Sequence, residues 1–410
     1  MAARRPRSRR PAFAAAAVVA SVALAAGPRA AAGAARTDGP PAPAPPASAG
    51  AARPAPDPPA FGAYLDYGPP GVARIAELGR WLGGREPRVG HTYLPGDRWS
   101  NIEGGAGFLD VWAQWRRQRA DRMLVLNVPM LERNEAGVPD DEVRALLREG
   151  AAGRFDHHFR ALAEQLVRLK APDTVVVLGW EMNGTTYTHR CGPEPQAWKE
   201  YWNHIVTTMR SVPGQEFRFD FTPTRGRDAI PWTQCYPGDD TVDIIGMDSY
   251  DQPGGMSFDE QVKEPYGLQE HVEFARNHGK PISYPEWGLF RNGDNAAYME
   301  RMLAWMGEHK PLYNTLTDYC PHGVWQCHDN PRSSEVYRSV LSGRTGEPVP
   351  EPTAPTRPPE PTAPTRPPEP TAPATPRPPV GCPAAGLGDW IEYWLGGDVC
   401  AHLGRWPREP

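Results

Sequence analysis

The chain has 410 residues, a formal net charge of −5, 50 prolines and six cysteines. This length allows one to three domains with a large hydrophobic core. A mildly acidic chain lacks the basic surface that nucleic acids and anionic membranes require, so neither is predicted as a partner. Beyond the N-terminal segment there is no run of about 18 apolar residues, and no membrane span is predicted there.

Residues 1–35 have the three parts of an export signal peptide. Several arginines precede an apolar run from Ala14 to Ala26, and small residues at 30–34 offer cleavage sites. We therefore predict a secreted protein, extracellular or associated with the cell wall, in which residues 36–60 form a disordered leader rich in Pro and Ala. Ser8-Arg9-Arg10 resembles a twin-arginine signal, and the choice between that route and general secretion stays open.

Between residues 61 and 345, short apolar runs alternate with amphipathic stretches such as Phe155–Lys170, which has apolar residues near helical spacing. Eight runs are predicted to be strands: Phe61–Leu65, Arg88–Leu94, Met123–Pro129, Thr174–Trp180, Phe217–Thr222, Val242–Tyr250, Pro281–Trp287 and a weak one at Leu316–Tyr319. Eight strands separated by helices predict an α/β fold, the (β/α)8 TIM barrel. A doubly wound open sheet also alternates, but no G-x-G-x-x-G follows the first strand.

The C-terminal part has a different composition. Residues 346–379 contain the repeat Glu-Pro-Thr-Ala-Pro-Thr-Arg-Pro-Pro at 351–359 and again at 360–368. Prolines at this density cannot pack as helix or sheet, so we predict an extended proline-rich linker. The short tail at 380–410 is too small for an independent core without a crosslink. It is either a small carbohydrate- or wall-binding module or a stapled segment without a ligand.

The even number of cysteines predicts disulfides in an exported protein. Sequence order suggests the pairs Cys191–Cys235, Cys320–Cys327 and Cys382–Cys400. The competing interpretation is a zinc site made by Cys320 and Cys327 with two nearby histidines, His322 and His328. Because the C-x-x-C spacing of common structural zinc sites is absent, we predict no metal.

Two glutamates lie where predicted strands end. Glu181 follows the fourth run, in Leu-Gly-Trp-Glu-Met-Asn-Gly, and Glu286 ends the seventh, in Ser-Tyr-Pro-Glu-Trp-Gly. The carboxyl ends of barrel strands meet at one mouth, where burial tunes the pKa of a carboxyl group. Two carboxyl groups across one mouth are what retaining glycoside hydrolysis requires, one as acid/base and one as nucleophile. The alternative is a pair of buried glutamates held in ion pairs.

The sequences at Trp180–Gly184, Val242–Tyr250 and Lys280–Gly288 resemble clan A glycoside hydrolases and, within that clan, family 26, whose best known members are β-mannanases. The resemblance implies that Glu181 is the acid/base and Glu286 the nucleophile. It also implies that Tyr250 hydrogen-bonds the nucleophile. The chain departs from the family pattern at Trp180, where the family usually has His, because an indole has one donor and no acceptor.

Aromatic and polar side chains near strand ends complete the predicted site. Trp287, beside the expected nucleophile, is the first choice for a platform under a sugar ring. The other predicted substrate-binding residues are Trp180, Asn183, Tyr250, His91, Asp248 and Trp325. Further candidates at or just past strand ends are Tyr93, Asn127, Tyr187, Arg225 and Asp228.

Together these features predict a secreted, monomeric endo-β-glycosidase that acts on a polysaccharide with retention of configuration and needs no cofactor. Mannan is the first expected substrate, and β-glucan or xylan come next. The alternative from a different class is a catalytically inactive barrel that binds glycan at the cell surface.

Overall fold

The computed structural model of the protein describes residues 59–105 and 107–342. The predicted signal peptide, the linker, the tail, the Cys382–Cys400 pair and nearly all of the leader lie outside these residues. Within the described ranges, none of the helices has the length and apolar character that a bilayer crossing requires.

In the described residues, nine strands alternate with ten α-helices. The strands are β1 (Ala60–Tyr64), β2 (Val89–Tyr93), β3 (Met123–Val128), β4 (Val175–Leu178), β5 (Arg218–Phe221), β6 (Ile244–Gly246), β7 (Ser249–Tyr250), β8 (Ile282–Gly288) and β9 (Tyr313–Thr317). The helices are α1 (Pro69–Trp81), α2 (Trp99–Ile102), α3 (Phe108–Arg117), α4 (Asp140–Ala151), α5 (Asp156–Arg168), α6 (Pro195–Arg210), α7 (Phe258–Lys263), α8 (Leu268–Asn277), α9 (Ala296–His309) and α10 (Pro331–Leu341), with a 3-10 helix at Trp232–Cys235.

The strands form one parallel sheet that closes on itself. Their order is β6-β5-β4-β3-β2-β1-β9-β8-β7, and β6 also pairs with β8, which brings Ile245 beside Ile282. After a short break, β7 pairs with β8 beyond the end of β6. Together β6 and β7 make the sixth barrel strand, so β8 and β9 are the seventh and eighth. The predicted (β/α)8 barrel is confirmed.

The strand sequences build two cores, because adjacent residues of a strand point to opposite faces. Val89, Val125 and Val175 belong to a small cluster inside the barrel. Their neighbours Leu124 and Val176 belong to the large cluster between the barrel and the helices. Runs that are apolar on both faces are typical of parallel strands covered by helices.

The last strand is the one that hydrophobicity located least well. It begins at Tyr313, whereas the apolar pattern predicted it at Leu316–Tyr319. Two of its side chains form polar contacts inside the barrel, where the Tyr313 hydroxyl donates to Asp220 at 2.7 Å and Thr315 lies 3.0 Å from His91. A search for apolar runs does not find a strand whose buried side chains are partly polar.

Two of the predicted disulfides are present, Cys191–Cys235 and Cys320–Cys327. The first joins the loop after β4 to the 3-10 helix after β5. The second closes the loop after β9. Because the sulfur atoms of Cys320 and Cys327 are bonded to each other, the zinc interpretation of these two residues is wrong.

Candidate active site

Glu286 lies in the barrel mouth on β8, and its side chain is buried. Its Oε2 accepts a hydrogen bond of 2.7 Å from the Tyr250 hydroxyl, and its Oε1 accepts one of 3.2 Å from Asn127 Nδ2. The Tyr93 hydroxyl is a third donor. Burial raises the pKa of the Glu286 carboxyl, and the three hydrogen bonds oppose this rise because they favour the charged form.

Tyr250 occupies the position that the family resemblance implies for it. Besides donating to Glu286, its hydroxyl oxygen lies 2.7 Å from Thr317 Oγ1. Burial, and then the charge of Glu286, raises the pKa of the Tyr250 phenol well above its ordinary value. The phenol therefore stays protonated and remains a donor to the carboxyl group.

Glu181 follows β4 in a backbone conformation that is uncommon for a residue with a side chain. Its φ is 51°, and that of Gly179 is 57°. A Cβ atom on Gly179 would lie 2.5 Å from the sulfur of Met130, so this turn requires glycine. The Glu181 backbone N–H donates to Thr222 O at 2.8 Å, which fixes the turn against β5. Such strained positions are frequently functional.

The two glutamates have different electrostatic surroundings in the mouth. Burial, and then the charges of Glu286 and Asp228, raise the pKa of the Glu181 carboxyl to about 8, while a hydrogen bond from Thr224 opposes the rise. Glu286 has more donors than Glu181 and therefore holds negative charge better, so a single proton between them resides on Glu181. Among the described residues, neither carboxyl group forms an ion pair with Lys or Arg, which does not support the ion-paired alternative.

A third acid lies next to this pair. Asp248 is in the break between β6 and β7 and is only 1% exposed. No side-chain donor bonds either of its carboxyl oxygens. Burial, and then the charges of Glu286 and Glu181, raise the pKa of Asp248 well above its ordinary value. The raised pKa favours the protonated form of Asp248, and its contact with substrate stays a prediction.

His91 is buried and lies behind Asn127 as seen from Glu286. It is only 1% exposed, its Nε2 lies 2.9 Å from Asn127 Oδ1, and its Nδ1 lies 3.0 Å from Thr315 Oγ1. Burial lowers the pKa of the imidazole to about 4, so the ring is neutral. His91 is linked to Glu286 through Asn127, and its contact with substrate stays a prediction.

Trp180 is part of a row of aromatic rings beside Glu286. Its ring centroid lies 5.6 Å from that of Tyr93 and 5.0 Å from that of Tyr187. Tyr64 lies 4.8 Å from Tyr93 on the other side. The row, here called the aromatic wall, consists of Tyr64, Tyr67, Tyr93, Trp180 and Tyr187. The charge of Glu286 raises the pKa of several of its phenols, so the wall borders that carboxyl group.

Trp287 points away from the mouth. The indole of Trp287 belongs to the large cluster between the barrel and the helices, and the register of β8 against β9 shifts between Tyr284 and Trp287. It is fully buried, its Nε1 donates to Asn314 Oδ1 at 3.2 Å, and its ring lies 6.1 Å from that of Tyr337. These contacts place the indole against the helices, and its role as the sugar platform stays a prediction.

Two more predicted substrate contacts have other neighbours. Trp325 lines a groove with Trp81 and Pro331, between α1 and α10, and its contact with substrate stays a prediction. The buried Asn183 donates from Nδ2 to Thr224 O at 3.1 Å and accepts from Thr224 N at 3.0 Å. Because both ends of the amide are used, Asn183 ties the loop after β4 to the loop after β5.

Several residues of the site are not indicated by the sequence patterns. Thr224 bonds Glu181, Thr317 bonds Tyr250, and Tyr64 and Tyr67 extend the aromatic wall. Tyr64 and Thr317 are the last residues of β1 and β9. A rule that treats the last residue of each predicted strand as a candidate would have found both of them, given correct strand ends.

Comparison with known proteins supports the family resemblance. Residues 137–302 match the model of Glycosyl hydrolase family 26. No curated protein matches the chain.

Among solved structures, the chain is similar to a modular endo-β-1,4-mannanase from Cellulomonas fimi, with 18% identity and a TM-score of 0.53 over 70% of this chain and 71% of that one. It is similar to the mannanase man26 from Bacillus subtilis, with 15% identity and a TM-score of 0.52 over 68% and 84%. The catalytic domain of the family 26 endo-β-1,4-mannanase from Bacillus sp. JAMB-750 gives 17% identity and a TM-score of 0.51 over 68% and 85%.

At these identities the structural likeness shows the fold. The family match adds more, because its residues include Glu181, Tyr250 and Glu286. It supports a glycoside hydrolase. The chain is thus a (β/α)8 barrel that resembles clan A glycoside hydrolases, and over residues 137–302 it resembles family 26 of that clan.

Proposed function

We propose that the protein is a secreted, monomeric glycoside hydrolase that cleaves a β-linked polysaccharide within its chain and retains the anomeric configuration. Mannan is the first candidate substrate, on the strength of the family resemblance, and β-glucan or xylan follow. The observation that carries the proposal is the difference between two carboxyl groups in one mouth. Glu286 is held by three donors, whereas burial and negative neighbours raise the pKa of Glu181 to about 8.

This difference suits a double displacement. In the first step a Glu286 carboxylate oxygen forms a bond to the anomeric carbon while the bond to the leaving oxygen breaks and Glu181 gives that oxygen its proton. In the second step Glu181 takes a proton from water, the water oxygen bonds to the anomeric carbon, and Glu286 leaves as a carboxylate. The site returns to its starting charge, and neither step requires a cofactor.

The surroundings of Glu286 agree with a carbohydrate ligand. The aromatic wall borders the carboxyl group, and aromatic rings pack on the apolar faces of sugars. Tyr250, Tyr93 and Asn127 donate to Glu286 and so favour its ionised form, the form that attacks. Glu286 carries a negative charge in this part of the mouth, and among the described residues no Lys or Arg pairs with it, which favours neutral glycans over acidic ones.

The first experiment measures product release from mannan, xylan, mixed-linkage β-glucan and β-1,3-glucan, with the anomeric configuration of new ends followed by ¹H NMR. We expect release from at least one polymer, initial products of the β configuration and a mixture of oligosaccharide lengths. Products of the α configuration would overturn retention.

The second experiment assigns the two glutamates. Glu286→Ala should abolish release while the variant still binds the polymer. Glu181→Ala should be slow, and azide should restore its turnover by giving a β-glycosyl azide, because azide needs no base to attack the glycosyl intermediate. Glu300→Gln, an exposed change on α9, is the matched control. If wild type releases nothing yet binds glycan as tightly as Glu286→Ala, the protein is the catalytically inactive barrel.

A further inference from the structure

A row of three side chains crosses the barrel from β2 to β8. His91 on β2 contacts Asn127 on β3, and Asn127 contacts Glu286 on β8. We propose that His91 is a positioning residue, whose Nε2–H holds the Asn127 amide in the orientation that donates to Glu286. The proposal rests on the proposed function only in giving Glu286 the role of nucleophile.

The positions of the hydrogen atoms in this row follow from which groups donate and which groups accept hydrogen bonds. Asn127 has a carbonyl oxygen that only accepts and an NH₂ group that only donates. If its NH₂ group faces the Glu286 carboxylate, its Oδ1 faces His91 at 2.9 Å and requires a donor there. With the amide reversed, Oδ1 would face the carboxylate, and two groups that only accept would be in contact.

His91 can supply that donor without carrying a charge. The ring is buried and neutral, so it has one N–H. Its Nδ1 lies 3.0 Å from the hydroxyl of Thr315, which also contacts the Pro285 carbonyl oxygen. The Thr315 hydroxyl has one hydrogen, which can go to Nδ1 or to the Pro285 carbonyl oxygen, so this contact can be made by a bare or by a protonated Nδ1. The Asn127 oxygen, in contrast, cannot be satisfied by a bare Nε2, and the proposal therefore places the single ring hydrogen on Nε2.

The burial of the row separates this role from substrate binding. Asn127 is fully buried and His91 is 1% exposed. A change at His91 therefore acts on Glu286 through the amide and not through loss of a sugar contact. Without the Nε2–H, the amide is free to reverse, and a reversed amide favours the protonated form of Glu286.

Other titratable groups also face Glu286, and none of them is replaced in the variants proposed below. From the remaining elements around the mouth these are Tyr67, Tyr93, Glu181, Tyr187, Asp248 and Tyr250. Of these, Glu181 and Asp248 are acids whose titration adds to that of Glu286. The test therefore compares the acid limb of the pH profile of kcat/KM between variants and does not interpret the absolute pH of that limb.

The first test is independent of activity. ¹⁵N NMR of the imidazole rings in the wild-type protein distinguishes a protonated Nε2 from a bare one, and the signal of His91 is assigned by its loss in His91→Gln. We expect a protonated Nε2 and a bare Nδ1 at pH 7. A ring with a bare Nε2 and a protonated Nδ1 would overturn the proposal.

The second test uses the pH dependence of kcat/KM. His91→Phe removes the donor and should move the acid limb upward by about one pH unit, since a hydrogen bond to a charged group contributes about 1.5–3 kcal/mol. His91→Gln places an amide N–H near the former Nε2 and should restore the limb to within a few tenths of a unit.

The control for this test is His271→Phe. His271 is also fully buried, and its Nε2 lies 2.8 Å from a backbone oxygen, that of Ile245, away from Glu286. It should destabilise the fold without moving the limb. Equal shifts in His91→Phe and His271→Phe, or no rescue by Gln, would overturn the proposal. If no glycan is cleaved by the wild type, the proposed function fails while the NMR result still decides the orientation.

Discussion

The Tyr250 hydroxyl lies between Glu286 and Thr317, 2.7 Å from an oxygen of each. The phenol hydrogen goes to the carboxylate, because a carboxylate only accepts, and the Thr317 hydroxyl then donates to the phenol oxygen. Three neighbouring strand segments, β7, β8 and β9, carry these residues. The seventh strand thus presents its glutamate to a tyrosine of the sixth strand, and a threonine of the eighth strand donates to that tyrosine.

Loss of the Tyr250 hydroxyl should weaken the ionised form of Glu286. We expect Tyr250→Phe to lower kcat/KM about 10- to 100-fold and to move its acid limb upward, since the lost hydrogen bond is to a charged group. Initial-rate kinetics across pH measure both effects. Tyr298→Phe is the matched control, because the buried Tyr298 hydroxyl donates to Ser249 O at 2.8 Å instead. Equal losses in the two variants would contradict the assignment.

The alkaline limb of activity should report Glu181. The proposed acid must be protonated, and its pKa is raised to about 8, so kcat/KM should fall as the pH rises through that value. Asp228 is one of the charges that raise this pKa. Asp228→Asn should therefore move the alkaline limb downward by a few tenths of a pH unit. An unchanged or raised limb contradicts the expectation, and Asp110→Asn, an exposed change on α3, serves as the control.

Stability should depend on pH through Asp248. Its pKa is raised in the folded protein, so this carboxyl stabilises the fold fully below the ordinary pKa of Asp, and that contribution is lost as the pH rises toward the folded value. An amide cannot lose the proton. We expect the melting temperature of Asp248→Asn, relative to wild type, to be higher at pH 8 than at pH 4. An equal difference at both values would show that Asp248 is not a neutral acid.

Two aromatic residues near the glutamates, Trp287 and Tyr187, should behave differently. Trp287→Phe should cost about 1–2 kcal/mol of unfolding free energy and leave KM unchanged, because the indole is fully buried behind β8. Tyr187→Ala, in the aromatic wall, should raise KM about 3- to 10-fold. Urea unfolding and steady-state kinetics on the same samples separate the two. A raised KM for Trp287→Phe would instead support the role of Trp287 as a sugar platform.

The two disulfides should differ in their contribution to stability. Cys191 and Cys235 are 44 positions apart, whereas Cys320 and Cys327 are 7 apart. By loop-closure entropy, replacing the first pair by Ser should destabilise the fold by about 4 kcal/mol and replacing the second by about 2.5 kcal/mol. Urea unfolding of the two double variants tests this order. The reverse order would indicate that the short loop after β9 contributes through its native contacts.

The motif sequences predicted Glu181, Glu286 and Tyr250 correctly as neighbours of one mouth, because parallel barrel strands all end on the same side. They did not indicate that Trp287 packs behind β8, because the register of β8 shifts between Tyr284 and Trp287 and the alternation of faces does not continue across such a shift. They also did not indicate the contacts of Asn183. Its partner Thr224 lies far along the chain, and nothing local indicates that both ends of the amide are used.

By itself, the sequence determined the barrel, its strand order and the two glutamates, because alternating apolar runs and strand-end positions are local patterns. Only the tertiary structure decided which donors hold each carboxyl group and which aromatic rings border them. Those contacts join β2, β3 and β7 to β8 and β9 to β7, and they depend on how the strands are aligned. The hydrogen bonds and charges that distinguish the two buried glutamates are properties of the closed barrel, and no segment of the chain encodes them alone.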